Sequence, residues 1–211
     1  QVGAGGAAIY KAGIAVDRRP KFLPQYEVTD GMLGGLSFAS SVESVNRTWR
    51  ALSQGEIDDD FPFYMAIPSI LDRSLVPENS TGESIFIYVG ATPYQLSGGR
   101  DWADFRNVYL DKVIDRLEAM APGFKDSIVG ADINTPREMN SAWVYKNSGR
   151  GVDLIPSQMA LWRPSPSLSG YATPGIDGLW RSGHGTHPMS GTNCWPGRLT
   201  ARTMLKRIRK W

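Results

Sequence analysis

The sequence predicts an α+β fold in which helices cover a mostly antiparallel sheet and a final strand, loop and helix follow. Residues 83–91 form the clearest β-rich run, and residues 102–120 have apolar side chains recurring at helical spacing. Near the C-terminus a short apolar run, a glycine-rich loop and a helical pattern follow one another.

Composition is that of a globular protein with a core of its own. The chain has 211 residues, of which 41% are hydrophobic, enough for one domain or slightly more. Its apolar runs are shorter than the roughly 18 residues that span a bilayer, and the first residues do not form a basic leader before an apolar core. We therefore expect a cytoplasmic protein, with membrane association as the alternative. One cysteine, Cys194, and two histidines are too few for a metal site, so no structural metal is predicted.

The N-terminal third contains two predicted strands and a helix. Glycines within residues 1–7 are similar in spacing to a dinucleotide-binding turn, but that turn needs a preceding strand and a later acidic residue, so we expect a lead into a strand at 9–16. A second strand is predicted within 33–39. Ser40 and Glu43 have capping-box spacing, which predicts a helix ending at Gly55. Its expected buried stripe is apolar: Val42, Val45, Trp49 and Leu52.

The middle of the chain carries the predicted core of the sheet. An acidic run, 58–60, is interpreted as a solvated turn rather than a cation site. Residues 63–67 are predicted to be a strand, and 83–91 a central one because both of its faces are apolar. Asp101 is the expected cap of the long helix. The side predicted to be buried carries Trp102, Phe105, Val108, Tyr109, Val113, Ile114, Leu117 and Met120.

Beyond that helix the pattern becomes shorter and more irregular. Residues 128–133 are predicted to be a strand, and Thr135 with Glu138 forms a capping box around Pro136 that starts a helix reaching about residue 144. A turn is expected at 147–151. An apolar stretch at 157–162 then leads into a loop rich in Pro, Ser and Gly at 163–175.

The last stretch predicts a short strand at Leu179 and Trp180, a loop, and a helix from near Thr192 to Trp211. Gly183, Gly185 and Gly191 allow the backbone of the loop to approach a ligand closely. The free N–H groups at the helix start favour an anionic or electron-rich ligand, although tight packing alone also explains the glycines. The apolar side of the helix is expected to be Ala201, Met204, Leu205, Ile208 and Trp211.

The final helix is also basic. Residues 198–211 hold six Lys or Arg and no acid. This charge is interpreted chiefly as complementing the helix dipole, with an anionic membrane surface as an alternative. A nucleic-acid partner is not expected, because aromatic residues do not alternate with these charges.

These segments together resemble a known family. Residues 183–188, reading Gly-His-Gly-Thr-His-Pro, with Gly191 and the Pro-Gly-Arg run at 196–198, resemble the C-terminal flavin-contacting segment of phytoene desaturase and retinol saturase-like FAD oxidoreductases. That family usually has G-x-G-T-H-P-G-G-G, from which Met189 and Ser190 depart. Matching segments upstream agree in order and rough spacing: Ala121-Pro122-Gly123-Phe124, Thr135-Pro136, Arg163-Pro164, Tyr171 and Pro174.

The resemblance implies both architecture and function. It implies a substrate-binding domain at 1–175, while 176–211 would supply the last strand and helix of a split, Rossmann-like FAD-binding domain. The rest of that domain would come from an N-terminal half in another segment or chain. The implied activity is FAD-dependent dehydrogenation or saturation of a hydrophobic, polyene or isoprenoid-like substrate, with this chain alone inactive. The implied FAD contacts are Gly183, Gly185, Thr186, His187, Gly191, Thr192 and Asn193.

Alternatives remain open at the level of sequence. His187 can be a polar group beside the flavin or a residue that fixes the turn through local hydrogen bonds. The whole chain can instead be a non-catalytic binding or assembly module that keeps the fold without its own flavin. The chain lacks the Ser-His-Asp order of a hydrolase and paired catalytic carboxylates, so it does not indicate a hydrolase, and no catalytic residue is assigned.

Overall fold

A computed structural model describes residues 7–143, 156–188 and 193–208, except the side chains of residues 140–143. The chain divides into two compact units, one of residues 6–149 and one containing residues 150–211. The larger unit combines a five-stranded antiparallel sheet with helices, which confirms the predicted α+β class. The functional boundary expected at residue 175 stays a prediction.

The sheet of the larger unit has the strand order β2-β3-β4-β1-β5. Its strands are β1 (Ala7–Val16), β2 (Leu36–Phe38), β3 (Phe63–Ala66), β4 (Glu83–Pro93) and β5 (Ile128–Asn134). The position of β4 in the middle confirms its prediction as a central strand. Its alternate residues, including Ile85, Ile87 and Val89, are buried in the core.

Helix α2 (Trp102–Met120) packs along the core, as predicted. Asp101 caps it by accepting a hydrogen bond from the Ala103 N–H at 2.8 Å. The predicted side is wrong in one respect: Val108 is 45% exposed, and Leu110 is buried at 6%. Leu110 lies seven residues before buried Leu117, two helical turns away, and therefore on the same face.

Helix α1 (Val42–Ser53) forms where predicted but buries a different face. Its capping box uses Ser41 and Ser44, one residue later than the predicted Ser40 and Glu43. Ser44 and Thr48 are buried, whereas Val42 is 80% and Trp49 is 45% exposed. The predicted apolar stripe is therefore wrong at Val42 and Trp49, whereas Val45 and Leu52 are half-buried.

The predicted strand at 33–39 is shorter than expected. A 3-10 helix occupies Asp30–Gly34, and the Gly35 N–H closes it by donating to the Met32 carbonyl at 2.9 Å. Only the following three residues form β2. A local turn thus satisfies backbone groups that a longer strand would have paired with β3.

The acidic run at 58–60 is a surface turn whose carboxylates pair with arginine and lysine side chains. Asp58 accepts a hydrogen bond from Arg47 at 2.6 Å, Asp59 pairs with Lys112 at 2.5 Å, and Asp60 lies 3.4 Å from Arg116. These ion pairs explain the carboxylates without a bound cation. No cluster of three or more His, Cys, Asp or Glu suited to a metal occurs among the described residues.

Short helices frame β5. Helix α3 (Phe124–Ser127) precedes it, and α4 (Pro136–Trp143) follows. The predicted capping box of α4 is confirmed, because the Thr135 N–H donates to Glu138 at 2.8 Å and the Glu138 N–H donates to Thr135 at 3.4 Å. The turn predicted at 147–151 lies outside the described residues.

The described residues of the smaller unit form 3-10 turns, a short strand pairing and one helix. The turns are Pro156–Gln158, Ala160–Trp162 and Pro166–Leu168. Ala172 and Trp180 form an antiparallel bridge, where a short strand was predicted. Helix α5 (Trp195–Ile208) begins at Trp195 rather than near Thr192.

The predicted buried side of α5 is wrong at three of its five residues. Ala201 is exposed, Leu205 is 53% and Ile208 is 62% exposed, while Pro196 and Thr200 are buried. Met204 is half-buried, and Trp211 lies outside the described residues. In the described ranges no helix has both the length and the apolar character that a membrane crossing requires.

Candidate functional site

The centre of the candidate site is the glycine turn that begins at Gly183. The Thr186 N–H and hydroxyl both donate to the Gly183 carbonyl, at 3.0 and 2.8 Å. Gly183 has a φ of 104°, a conformation that L residues rarely adopt, and a Cβ built there meets nothing within 4 Å. The turn is thus closed by Thr186, which is 5% exposed, and leaves space beside its first glycine.

A buried arginine donates hydrogen bonds to the backbone of this turn. Arg163 is fully buried, and its Nε and Nη2 both donate to the His184 carbonyl, at 3.0 and 2.9 Å. Its Nη1 donates to the Gln158 carbonyl at 3.0 Å. One guanidinium therefore ties the turn to the segment some 20 residues earlier, where its rigid fork of donors suits paired carbonyls.

A hairpin enters the turn. The Arg181 N–H donates to the Tyr171 carbonyl at 2.6 Å, and the Thr173 N–H donates to the Leu179 carbonyl at 2.9 Å. The Thr200 hydroxyl of α5 lies 2.9 Å from the Arg181 carbonyl, which links the hairpin to the helix. The same hydroxyl lies 2.8 Å from the Pro196 carbonyl.

One face of this hairpin holds buried polar atoms that have no hydrogen-bond partner in the described part of the chain. Because side chains alternate along a strand, Tyr171 and Thr173 share a face with Arg181, which is opposite Tyr171. The His187 ring meets the Tyr171 ring edge-on at 6.3 Å. Within the described residues, five buried side-chain atoms lack a partner, and four of them are Tyr171 Oη, Thr173 Oγ1, Arg181 Nε and His187 Nδ1. Such groups are rare in folded proteins, so this face has hydrogen-bonding capacity that the described chain does not meet.

Two ionisable groups of the site have shifted pKa values. Burial, followed by the positive charge of Arg163, lowers the pKa of His184. Burial raises the pKa of the Tyr171 hydroxyl. Both shifts favour neutral side chains around the turn.

The structure brings together part of the predicted cofactor set. Gly183, Gly185, Thr186 and His187 lie in or next to one turn, and Asn193 accepts a hydrogen bond from the Trp195 N–H at 3.1 Å at the start of α5. Gly191 and Thr192 lie outside the described residues, as do Met189 and Ser190. The contact of any of these residues with a cofactor stays a prediction.

Sequence reasoning did not assign Arg163 or Tyr171 to the site. Arg163 follows an apolar stretch and precedes a proline, but its contact with the turn spans 21 residues and leaves no local pattern. An arginine directly after an apolar stretch is the available signal; when such an arginine is buried it needs partners, because arginine is almost never fully buried unless paired.

Comparison with known proteins shows related sequences, while no family model matches the chain. The chain is 36% identical over 148 residues to pyridine nucleotide-disulfide oxidoreductase domain-containing protein 2 of Rattus norvegicus, which is 69% of this chain and 25% of the relative. It is 31% identical over 211 residues to the protein of the same name from Mus musculus, covering 95% of this chain and 36% of the relative. A neurosporene-forming phytoene desaturase of Rhodobacter capsulatus is 29% identical over 142 residues, or 65% of this chain and 25% of that protein.

These likenesses confirm the predicted resemblance to phytoene desaturase-like oxidoreductases. The chain spans between 25% and 36% of the length of these curated relatives.

Proposed function

Because this chain is a relative of phytoene desaturases and of pyridine nucleotide-disulfide oxidoreductase domain-containing protein 2, we propose that it is the C-terminal part of an FAD-dependent oxidoreductase. The substrate in this proposal is hydrophobic, of polyene or isoprenoid type. The main part of the FAD-binding domain comes from an N-terminal half, in another segment or chain. The chain alone is then inactive.

The observation that carries the proposal is the turn from Gly183 to His187. Space for a Cβ is open at Gly183, so a planar ring can approach the backbone there. Tyr171 Oη and His187 Nδ1 are buried beside this turn without partners among the described residues, which fits a cofactor rich in hydrogen-bonding heteroatoms. Both features agree with the sequence resemblance.

Each part of the loop has a separate role in this proposal. A bound flavin would accept a hydride, and its reduced form carries negative charge along one edge of the ring. The N–H groups of the loop and the start of α5 stabilise that charge. In this proposal Gly183, Gly185 and Gly191 allow the close approach, Thr186 fixes the turn, and Thr192 and Asn193 are further contacts to the cofactor.

The test replaces Gly185 with valine in the complete flavoprotein assembly. Gly185→Val puts a branched side chain where the flavin ring is expected, so flavin absorbance per mole of protein should fall at least about tenfold. Lys206→Ala, in the exposed last turn of α5, is the matched control and should keep full occupancy. Circular dichroism checks that both proteins remain folded.

Equal flavin occupancy in the two variants would overturn the assignment of the loop. The glycines would then be explained by packing of the loop against α5. An assembly that contains no flavin at all would instead favour the non-catalytic binding module.

A further inference from the structure

The hairpin of the smaller unit has its tip at residues 174–178, which contain two successive turns. A hydrogen bond from the Ile176 N–H to the Thr173 carbonyl, at 3.3 Å, closes the first turn. In the second turn Gly178 has a φ of 77°, a conformation that glycine adopts readily. In the described ranges neither Asp177 nor Gly178 takes part in a backbone hydrogen bond. The second turn is therefore less constrained than the first.

The carboxylate of Asp177 is also unrestrained. The residue is exposed, and its side chain makes no hydrogen bond or ion pair with the described residues. Gly178 is exposed as well, and a Cβ built there meets nothing within 4 Å. A carboxyl group and the backbone N–H of the next residue thus lie side by side in an open turn. Neither group has a partner in the described part of the chain that keeps it away from the other.

We propose that Asp177 is a site of spontaneous isomerisation to isoaspartate. The Gly178 nitrogen attacks Cγ of the protonated Asp177 carboxyl group and forms a C–N bond, while the hydroxyl leaves as water with the amide proton. Because the reacting groups are adjacent, the step is intramolecular. Water then adds to the main-chain carbonyl of Asp177 and breaks its bond to the Gly178 nitrogen. The main chain now runs through the former side chain and is longer by a methylene group.

The other Asp-Gly pair of the sequence, Asp30 with Gly31, is held in place. The Asp30 carboxylate accepts a hydrogen bond from Arg19 at 3.2 Å, and both residues of the pair belong to the 3-10 helix Asp30–Gly34. Ring closure there has to break the ion pair and move the backbone out of the helix. Neither restraint acts on Asp177, so the modification belongs to the hairpin rather than to this helix.

The isomerisation changes the hairpin that leads into the glycine turn at Gly183. The Thr173 N–H donates to the Leu179 carbonyl at 2.9 Å, and the Arg181 N–H donates to the Tyr171 carbonyl at 2.6 Å. A two-stranded hairpin is only marginally stable by itself, so its pairing depends on a tip of the right length. An additional methylene group in the tip loosens these hydrogen bonds. Neither a flavin nor a substrate takes part, so this inference is independent of the proposed function.

The experiment ages the full chain at physiological temperature and pH. Protein isoaspartyl methyltransferase, which adds a labelled methyl group to isoaspartate, measures the product, and mass spectrometry of the tryptic peptide that ends at Arg181 locates it. Asp177→Glu keeps the negative charge but has to close a larger ring, so its labelling should fall at least about tenfold. Asp30→Glu is the matched control at an exposed position and should label as strongly as the original chain.

Hydrogen exchange measures the effect on the hairpin. The amides of Thr173 and Arg181 should exchange at least about threefold faster in the aged original chain than in the fresh one, whereas ageing should not change them in Asp177→Glu. Equal labelling of Asp177→Glu and the original chain, or isoaspartate located at Asp30 in place of Asp177, would overturn the proposed site. Exchange that ageing leaves unchanged in the isomerised chain would overturn the proposed effect on the hairpin.

Discussion

Arg163 is the residue on which the shape of the glycine turn depends most. A fully buried guanidinium with three donors on two backbone carbonyls replaces the water that would otherwise satisfy those carbonyls. A buried carbonyl that loses its partner costs about 1 to 3 kcal/mol. The turn therefore has a stability of its own, independent of any ligand.

We expect Arg163→Met to lower the free energy of unfolding of the smaller unit by about 2 to 4 kcal/mol, because the His184 and Gln158 carbonyls lose their donors. Chemical denaturation followed by tryptophan fluorescence measures the loss. Arg202→Met, an exposed arginine on α5, is the control and should change stability by no more than about 0.5 kcal/mol. Similar stabilities of the two variants would mean that the hydrogen bonds from Arg163 do not stabilise the smaller unit.

At the scale of residues, the sequence predicts the glycine turn but not the arginine that binds its backbone. Glycines, a threonine and a proline within six residues are typical of a tight turn. The hydrogen bond from Thr186 to Gly183 joins residues close in sequence, so this pattern can predict it. The contact between Arg163 and His184 is set by how the chain folds back on itself. Such contacts have no fixed spacing, so a pattern of residue types does not reveal them.

At the scale of elements, α2 shows what periodicity predicts well. Its predicted bounds and cap agree with the structure, because a helix of 19 residues against a sheet must bury a continuous apolar face. Leu117 is 1% exposed and Val108 is 45% exposed on the same helix. This contrast permits a matched test of the packing.

Leu117→Ala should lower the free energy of unfolding by about 2 to 5 kcal/mol, since it leaves a cavity in a close-packed core. Val108→Ala should cost less than about 1 kcal/mol, because the removed methyl groups are largely in water. Urea denaturation of the two variants beside the original chain gives both values. A smaller loss for Leu117→Ala than for Val108→Ala would contradict the packing of α2.

Helices α1 and α5 show where periodicity fails, and for the same reason. Each fully buries small hydroxyl side chains, whereas the residues of its predicted apolar stripe that the structure describes are exposed or half-buried. The Thr48 hydroxyl donates to the Ser44 carbonyl at 2.9 Å, and that of Thr200 to the Pro196 carbonyl at 2.8 Å. A hydroxyl that bonds to the preceding turn of its own helix can be buried at little cost and allows close approach. A pattern that counts only apolar residues does not detect such a face.

For the whole molecule, the described part of the larger unit holds an antiparallel sheet rather than the parallel strands of a dinucleotide-binding domain. All four neighbouring strand pairs of its sheet are antiparallel. Pyrophosphate is held in Rossmann-like domains where a parallel strand leads into a helix N-terminus. The described residues thus hold no such turn for the ADP half of FAD, and in the proposed function they contact only the flavin ring, near Gly183.

We therefore expect the chain alone to bind FAD weakly and no better than FMN, because the ADP half that distinguishes the two cofactors finds no dedicated site here. Isothermal titration of the purified chain with each cofactor should give dissociation constants within about threefold of each other, less than 1 kcal/mol apart. Gel filtration after incubation with FAD should yield a colourless protein. Gly185→Val should weaken both cofactors equally, which ties any weak binding to the loop. An FAD affinity far above that for FMN, or stoichiometric yellow flavin after gel filtration, would show that this chain holds the whole cofactor and that no N-terminal half is required.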